Sequence, residues 1–410
     1  MMRSTFRPFH RPDIDDRDIL EVTESLLSGW LTSGPKVTQF ESEFAKVVGA
    51  SCAVAVNSCT AALHLSLEAI GLGENDAVLT TPYTFAATAE VVRYFNATPV
   101  FVDIRSHDLN IDPGGLEETL HRAGTVGIEV GGKRFGLADI KAIIPVHVAG
   151  QVCDMAAISR VANRYAIRVI EDAAHALPAR CGDQMVGSIS DLTCFSFYAT
   201  KTITTGEGGM ICTNDEKWAD RCRLMRGHGI NRAPWAREQA GAAWRYEIVA
   251  PGFKYNMTDL AAALGLAQLR KMPAMWVRRR EIALRYNRAF ADLAELEGPN
   301  ESSEGEHAWH LYLLRLNEDR LSIGRDEFIN EIHARNIGTS VHWIPLHTHP
   351  YYEQLYGYRP MDFPVALRQF ERAISLPIYS NMKATDVDDV IAAVTDVVDR
   401  FRRCRGAVRK

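Results

Sequence analysis

Cys194-Phe-Ser-Phe-Tyr-Ala-Thr-Lys201-Thr-Ile-Thr-Thr-Gly-Glu-Gly-Gly209 reads as a strand, a short turn carrying a lysine, and a glycine-rich run leading into a second strand. The first strand, expected over residues 192–197, is a near-continuous apolar run, as in a parallel sheet covered on both faces by helices. A lysine just past such a strand sits where open α/β sheets gather their ligands. The glycines beside it permit close backbone approach. A lone lysine is ordinarily a solvated surface residue. One held in a site that depresses its pKa presents a neutral amine able to bond a carbonyl carbon.

Two further stretches extend the pattern. Val169-Ile-Glu-Asp172-Ala-Ala-His175 puts an acid at the carboxyl end of another apolar strand. Asp172 is suited there to pairing with a pyridine nitrogen or, in the plainer reading, to capping a helix. His175 is suited to packing on a ring or bonding its phenolic oxygen. Taken alone it reads better as a satisfied core histidine. Val56-Asn-Ser-Cys-Thr60-Ala-Ala-Leu-His64 turns from strand to helix. The N–H groups of that helix start, with a hydroxyl from Ser58 or Thr60, suit a phosphate. A simple N-cap uses the same residues. No Gly-x-x-x-x-Gly-Lys-Ser/Thr occurs, and no Gly-x-Gly-x-x-Gly follows the first strand, which disfavours a nucleotide P-loop and a dinucleotide fold. An acid, a lysine, an anion cradle and an aromatic at Phe85 are the parts of a pyridoxal 5'-phosphate site. No one part is specific, but the combination is.

Strands expected at 53–57, 77–81, 100–103, 142–146, 168–171, 192–197 and 209–213 alternate with helical stretches. They predict a large α/β domain over 1–260 with a mostly parallel, seven-stranded sheet. Residues 261–410 predict a smaller α+β domain. A helix over 259–285 is expected to bend near Pro273, and a strand is expected from residue 310 to 316. A last helix, capped by Thr385, carries an apolar stripe through Val387, Val390, Val394 and Val397. The 410 residues are 47% hydrophobic and 24% charged, which fits a soluble protein with a large core. A net charge of -5 argues against a nucleic-acid partner. Arg278-Arg279-Arg280 reads as a solvated helix face. Eight cysteines without metal-ligand spacing predict reduced thiols and no metal site. A polar, basic beginning and the lack of a long apolar run predict a cytoplasmic protein with no membrane partner.

In order and in length, these motifs resemble the DegT/StrS-type sugar aminotransferases, pyridoxal-phosphate enzymes of fold type I. The resemblance runs nearly end to end. It includes Gly29-Trp-Leu-Thr-Ser-Gly-Pro-Lys36, Thr81-Pro-Tyr-Thr-Phe85, Pro145-Val-His-Val-Ala-Gly150, Tyr255-Asn-Met-Thr-Asp259, His307-Ala-Trp-His310 and Ser375-Leu-Pro377. It implies that Lys201 bonds the cofactor as its Schiff-base lysine, Asp172 pairs with the pyridine nitrogen and Phe85 stacks on the ring. Thr60, the Ala61 backbone and Ser196 would hold the phosphate. It also implies a homodimer with shared active sites, in which Lys254 or Asn256 of the second copy reaches that phosphate. Many relatives read Asn-Tyr-Arg where this chain has Lys254-Tyr-Asn256, so the choice between the two stays open. His175 stands where many relatives carry Gln. A branch that includes UDP-4-amino-4-deoxy-L-arabinose aminotransferases carries His there.

The implied reaction moves an amino group from L-glutamate, leaving 2-oxoglutarate, to a nucleotide-linked keto sugar by way of pyridoxamine 5'-phosphate. Residues 29–36 and 201–209 are more similar to enzymes that aminate C4 of the hexose, including perosamine-type ones, than to those acting at C3. Trp30, Lys36, His310 and His342 are candidates for the sugar, with Trp343, as clefts between domains commonly bind ligands. Trp309 reads as core. The competing readings are a 3-keto sugar aminotransferase, a pyridoxamine-dependent dehydratase, a non-catalytic sensor and a nicotinamide oxidoreductase. Dehydratases of this fold replace the lysine by histidine, and a sensor would be marked by loss of Lys201 or Asp172. The oxidoreductase lacks its glycine fingerprint.

Overall fold

The computed structural model describes residues 5–231, 245–299 and 305–403. Its centre is a seven-stranded sheet of β1 (Cys52–Val56), β2 (Ala77–Thr80), β3 (Thr98–Phe101), β4 (Ile140–Ile144), β5 (Arg168–Asp172), β6 (Leu192–Ser196) and β7 (Gly209–Thr213). The spatial order is β1-β7-β6-β5-β4-β2-β3. β7 runs antiparallel to both neighbours, and the other pairs are parallel. Each expected strand falls within two residues of its observed bounds.

Strand pleating sends alternate residues to opposite faces, and both faces are dry. Val54 and Val56 of β1, with Cys194 and Ile211, pack beneath helix Cys59–Ala69 and against Ala219 and Cys222 of helix Glu216–Met225. Ala53, Phe195 and Met210 pack on the other side against Phe40 and Phe44 of helix Pro35–Val48. Phe44 lies 5.1 Å from Phe195 and 5.5 Å from Phe197, both at 70°, an edge-to-face arrangement favoured by the ring quadrupoles.

The long helix Asp259–Phe290 joins two cores. Ala262, Leu266, Leu269 and Met272 belong to the sheet's core, while Ile282, Tyr286 and Phe290 belong to a second core with Trp309, Tyr312 and Val390. The helix is unbroken through Pro273, which is exposed on its surface. Asp259 fixes its start to helix Pro35–Val48, accepting from the N–H groups of Gly34, Lys36 and Val37 at 2.8, 3.1 and 3.0 Å.

Three details differ from expectation. The solvated arginine face is interrupted by Arg279, which is buried, its Nη1 donating to the carbonyls of Trp309, His310 and Ile378. The strand expected from residue 310 begins at Tyr312, because the Ala308 and Leu311 N–H groups are spent on the carbonyls of Gly150 and Ala149. The last helix, Ala384–Phe401, is closed by Asp386 rather than by Thr385. The Asp386 carboxylate accepts from the Lys383 N–H at 2.8 Å.

Candidate active site

Four strand ends meet at one edge of the sheet. β1 ends at Val56, β5 at Asp172 and β6 at Ser196, while antiparallel β7 begins there with Gly209. Register pairs Gly209 with both Val56 and Ser196. A cavity of about 600 Å³ lies over this edge. Thr60, Phe85, Asp172, His175, Ser196 and Lys201 line it from the sheet side, and His310, His342 and Trp343 from the C-terminal part.

Lys201 sits in the turn after β6, its N–H bonded to the Tyr198 carbonyl at 2.9 Å. Burial lowers its ammonium to about 8, opposed by the nearby Cys59 and Asp172. Asp172 is buried, and each of its oxygens has a donor. Oδ2 accepts from Thr88 Oγ1 at 2.7 Å and Oδ1 from the Ala174 N–H at 3.2 Å. Burial raises this carboxyl, and the two hydrogen bonds work against that rise. The Ala174 bond closes a turn, not a helix, so the capping alternative is not realised. Glu171 points to the other face, taking Thr193 Oγ1 at 2.9 Å and His147 Nε2 at 2.8 Å. His147 Nδ1 accepts from the Cys153 N–H at 3.1 Å, so the network assigns its proton to Nε2.

The candidate phosphate cradle is equally local. Ser58 caps helix Cys59–Ala69, its Oγ accepting from the Ala61 N–H at 3.1 Å, so the N-cap alternative is realised and the Ala61 N–H expected to hold the phosphate already has an acceptor. A Cβ on Gly209 would come within 2.5 Å of the Ser58 carbonyl oxygen, so glycine lets β7 run against the helix start. The helix N-terminus attracts an anion, and Thr60 and Ser196, both hydroxyl-bearing, line the same cavity. An amine for the aldehyde, an acid for the ring nitrogen and an anion cradle therefore fit pyridoxal 5'-phosphate.

Opposite stands a group of histidines. His175 stacks on Trp343 at 5.0 Å and 24°, with the His310 ring 4.2 Å away. His342 Nδ1 bonds Ser375 Oγ at 2.7 Å. Burial lowers His342 to about 4 and His10 to about 3, and takes His175 and His310 well below the usual imidazole range. All four are neutral at neutral pH. Nδ1 of His175, Nδ1 of His310 and Nε2 of His10 are buried without a partner among the described residues, a state that calls for a ligand or water.

Other expected residues lie elsewhere. Trp30 lies against Gly34, and the Lys36 amine pairs with Glu21 and Glu24, so within one chain neither lines the cavity. Lys254 is exposed, and Asn256 Nδ2 donates to Ser33 Oγ at 2.7 Å. Trp309 is core, stacked on His307. Thr84, Thr88 and His10 are at the site without having been expected. Thr88 lies in the first turn of helix Ala86–Arg93 and Thr84 in the bend before it, and the fold brings their hydroxyls to 2.7 Å. His10 gives no signal in the sequence. Among the described residues no group of three or more His, Cys, Asp or Glu is arranged to hold a metal, and no helix is long and apolar enough to cross a membrane.

The chain is similar to known proteins over nearly its whole length. The chain is 49% identical to the spore coat polysaccharide biosynthesis protein SpsC of Bacillus subtilis, over 97% of this chain and 98% of that one. The Spr1654 protein of Streptococcus pneumoniae is similar in both its PMP form (TM-score 0.87, 32% identity) and its PLP form (TM-score 0.86, 32% identity). Each match covers 96% of this chain and 99% of that one. The aminotransferase PseC of Helicobacter pylori, involved in the biosynthesis of pseudoaminic acid, matches with a TM-score of 0.85 and 28% identity, over 97% of this chain and 100% of that one. Residues 12–395 match the DegT/DnrJ/EryC1/StrS aminotransferase family, and the chain belongs to that family of pyridoxal-phosphate-dependent sugar aminotransferases.

Proposed function

We propose that the protein transfers the amino group of L-glutamate to the C4 ketone of a nucleotide-linked 6-deoxy hexose, releasing 2-oxoglutarate. The observation that carries this reading is the Lys201 amine, brought down to about 8 by burial, in one cavity with Asp172. The bound cofactor supplies an electron-withdrawing ring that acidifies the donor's α-proton. Lys201 Nζ then takes that proton, and returns one to the sugar carbon in the second half of the cycle. Asp172 keeps the ring nitrogen charged. The His175–Trp343 layer shields the reacting atoms from water, and neutral His310 and His342 offer ring nitrogens to the substrate.

Phe85 and Tyr198 line the cavity yet are 62% and 47% exposed, which supports a homodimer in which a second copy covers the rim. Of the two residues considered for reaching across, Asn256 is engaged by Ser33 in its own chain and Lys254 is exposed. Lys254 is therefore the one assigned to the neighbouring phosphate. SpsC is named for spore coat polysaccharide biosynthesis, which supports an amino sugar destined for a polysaccharide.

The test is 2-oxoglutarate release from L-glutamate in the presence of nucleotide-linked 4-keto or 3-keto 6-deoxy hexoses. Release with the 4-keto sugars, abolished by Lys201→Ala, is the expected result. Release with 3-keto sugars alone would contradict C4 amination. Ketone-independent or absent release would contradict the reaction.

A further inference from the structure

Asp172 meets few groups that hold its charge. Among the described residues its carboxylate takes one hydroxyl and one backbone N–H, and no cation within ion-pair distance. The hydroxyl is that of Thr88, which is wholly buried and in turn lies 2.7 Å from the buried hydroxyl of Thr84. We propose that Thr88 is a positioning residue of the cofactor site, fixing Asp172 as an acceptor-only carboxylate aimed at the ring nitrogen, with Thr84 extending the relay to the cavity. The inference rests on Asp172 facing that nitrogen.

The polarity of the relay follows from counting protons. A carboxylate only accepts, and a threonine hydroxyl has one proton. Thr88 gives its proton to Asp172 Oδ2, so Thr84 must give its own to Thr88. Thr84, a residue of the cavity lining, is then left to accept. A ligand group meeting Thr84 must bring a proton, as a hydroxyl or an amine does. Were Asp172 protonated on Oδ2, the whole chain would reverse and Thr84 would donate into the cavity. Thr88 sits in the first turn of helix Ala86–Arg93, where the helix dipole also favours an anion. Burial raises the Asp172 carboxyl, and the Thr88 bond is the larger of the two hydrogen bonds opposing it.

The test uses Thr88→Val, which keeps the shape and removes the donor, and Thr88→Ser, which keeps the donor. The probe is pyridoxamine 5'-phosphate, which forms no bond with Lys201, and its affinity is read from quenching of tryptophan fluorescence. Thr88→Val is expected to weaken binding about tenfold or more. The deficit should widen as pH falls, because a carboxyl with a raised pKa is protonated sooner and must lose that proton before pairing with a protonated ring. Thr88→Ser should bind within about twofold of the unaltered protein, as its retained donor implies. Unchanged affinity in Thr88→Val would overturn the inference. So would equal losses in both variants, or a loss independent of pH, which marks a packing defect. If circular dichroism shows Thr88→Val unfolded, Thr88→Ala, which also removes the donor, carries the same expectations. Failure of the unaltered protein to bind the probe would instead remove the cofactor assignment, and this inference with it.

Discussion

Lys201 shows what a residue's surroundings add to its chemistry. An ordinary lysine is an ammonium up to about pH 10, whereas burial here gives a neutral amine above about 8. The sign is set by burial: the charged form is penalised, so the reactive fraction grows as pH rises through that value. In the cofactor-free protein, the rate at which Lys201 reacts with an acylating reagent, followed by peptide mass mapping, should therefore rise with a midpoint near 8. A midpoint above about 10, the value of a solvated lysine, would show that the amine is not buried as described. Lys201 and Asp172 were legible in the sequence because Asp172 ends one recognisable apolar strand and Lys201 sits in the turn that follows another. Thr88 was not, since a threonine inside a short helix ordinarily says nothing until its hydroxyl is seen 2.7 Å from the carboxylate.

At the level of elements, the site depends on β7 running against the start of helix Cys59–Ala69. Gly209→Ala would drive a methyl group into the Ser58 carbonyl at 2.5 Å, and nothing in backbone contact gives way cheaply. Cofactor affinity should fall about tenfold or more, as expected for a misplaced anion cradle. Wild-type affinity in that variant would mean the cradle lies elsewhere. Asp259→Ala removes the acceptor for three N–H groups at the start of helix Pro35–Val48. A loss of about 2 kcal/mol is expected, read as a lowered thermal midpoint, and an unchanged midpoint would contradict the cap. The strands were readable from composition because both sheet faces are apolar. The exact helix caps were not. Asp386 displaces Thr385, and Arg279 leaves the expected solvated face, because tertiary partners decide both.

For the whole molecule, one helix shared by two cores holds the histidine-bearing C-terminal part over the strand ends. The exposed aromatic rim predicts a solution mass of twice 45.7 kDa, checked by light scattering. A monomer that binds cofactor fully would contradict the shared site. Trp30 and Lys36 illustrate why a linear motif underdetermines a cleft: both lie in a stretch that resembles the family, yet within one chain both pack away from the cavity. The most direct test of the account fixes the cofactor where it binds. Holoenzyme reduced with borohydride, digested and mapped by mass spectrometry should carry the cofactor on one peptide, at Lys201. Its appearance on another lysine, or on none, would contradict the account.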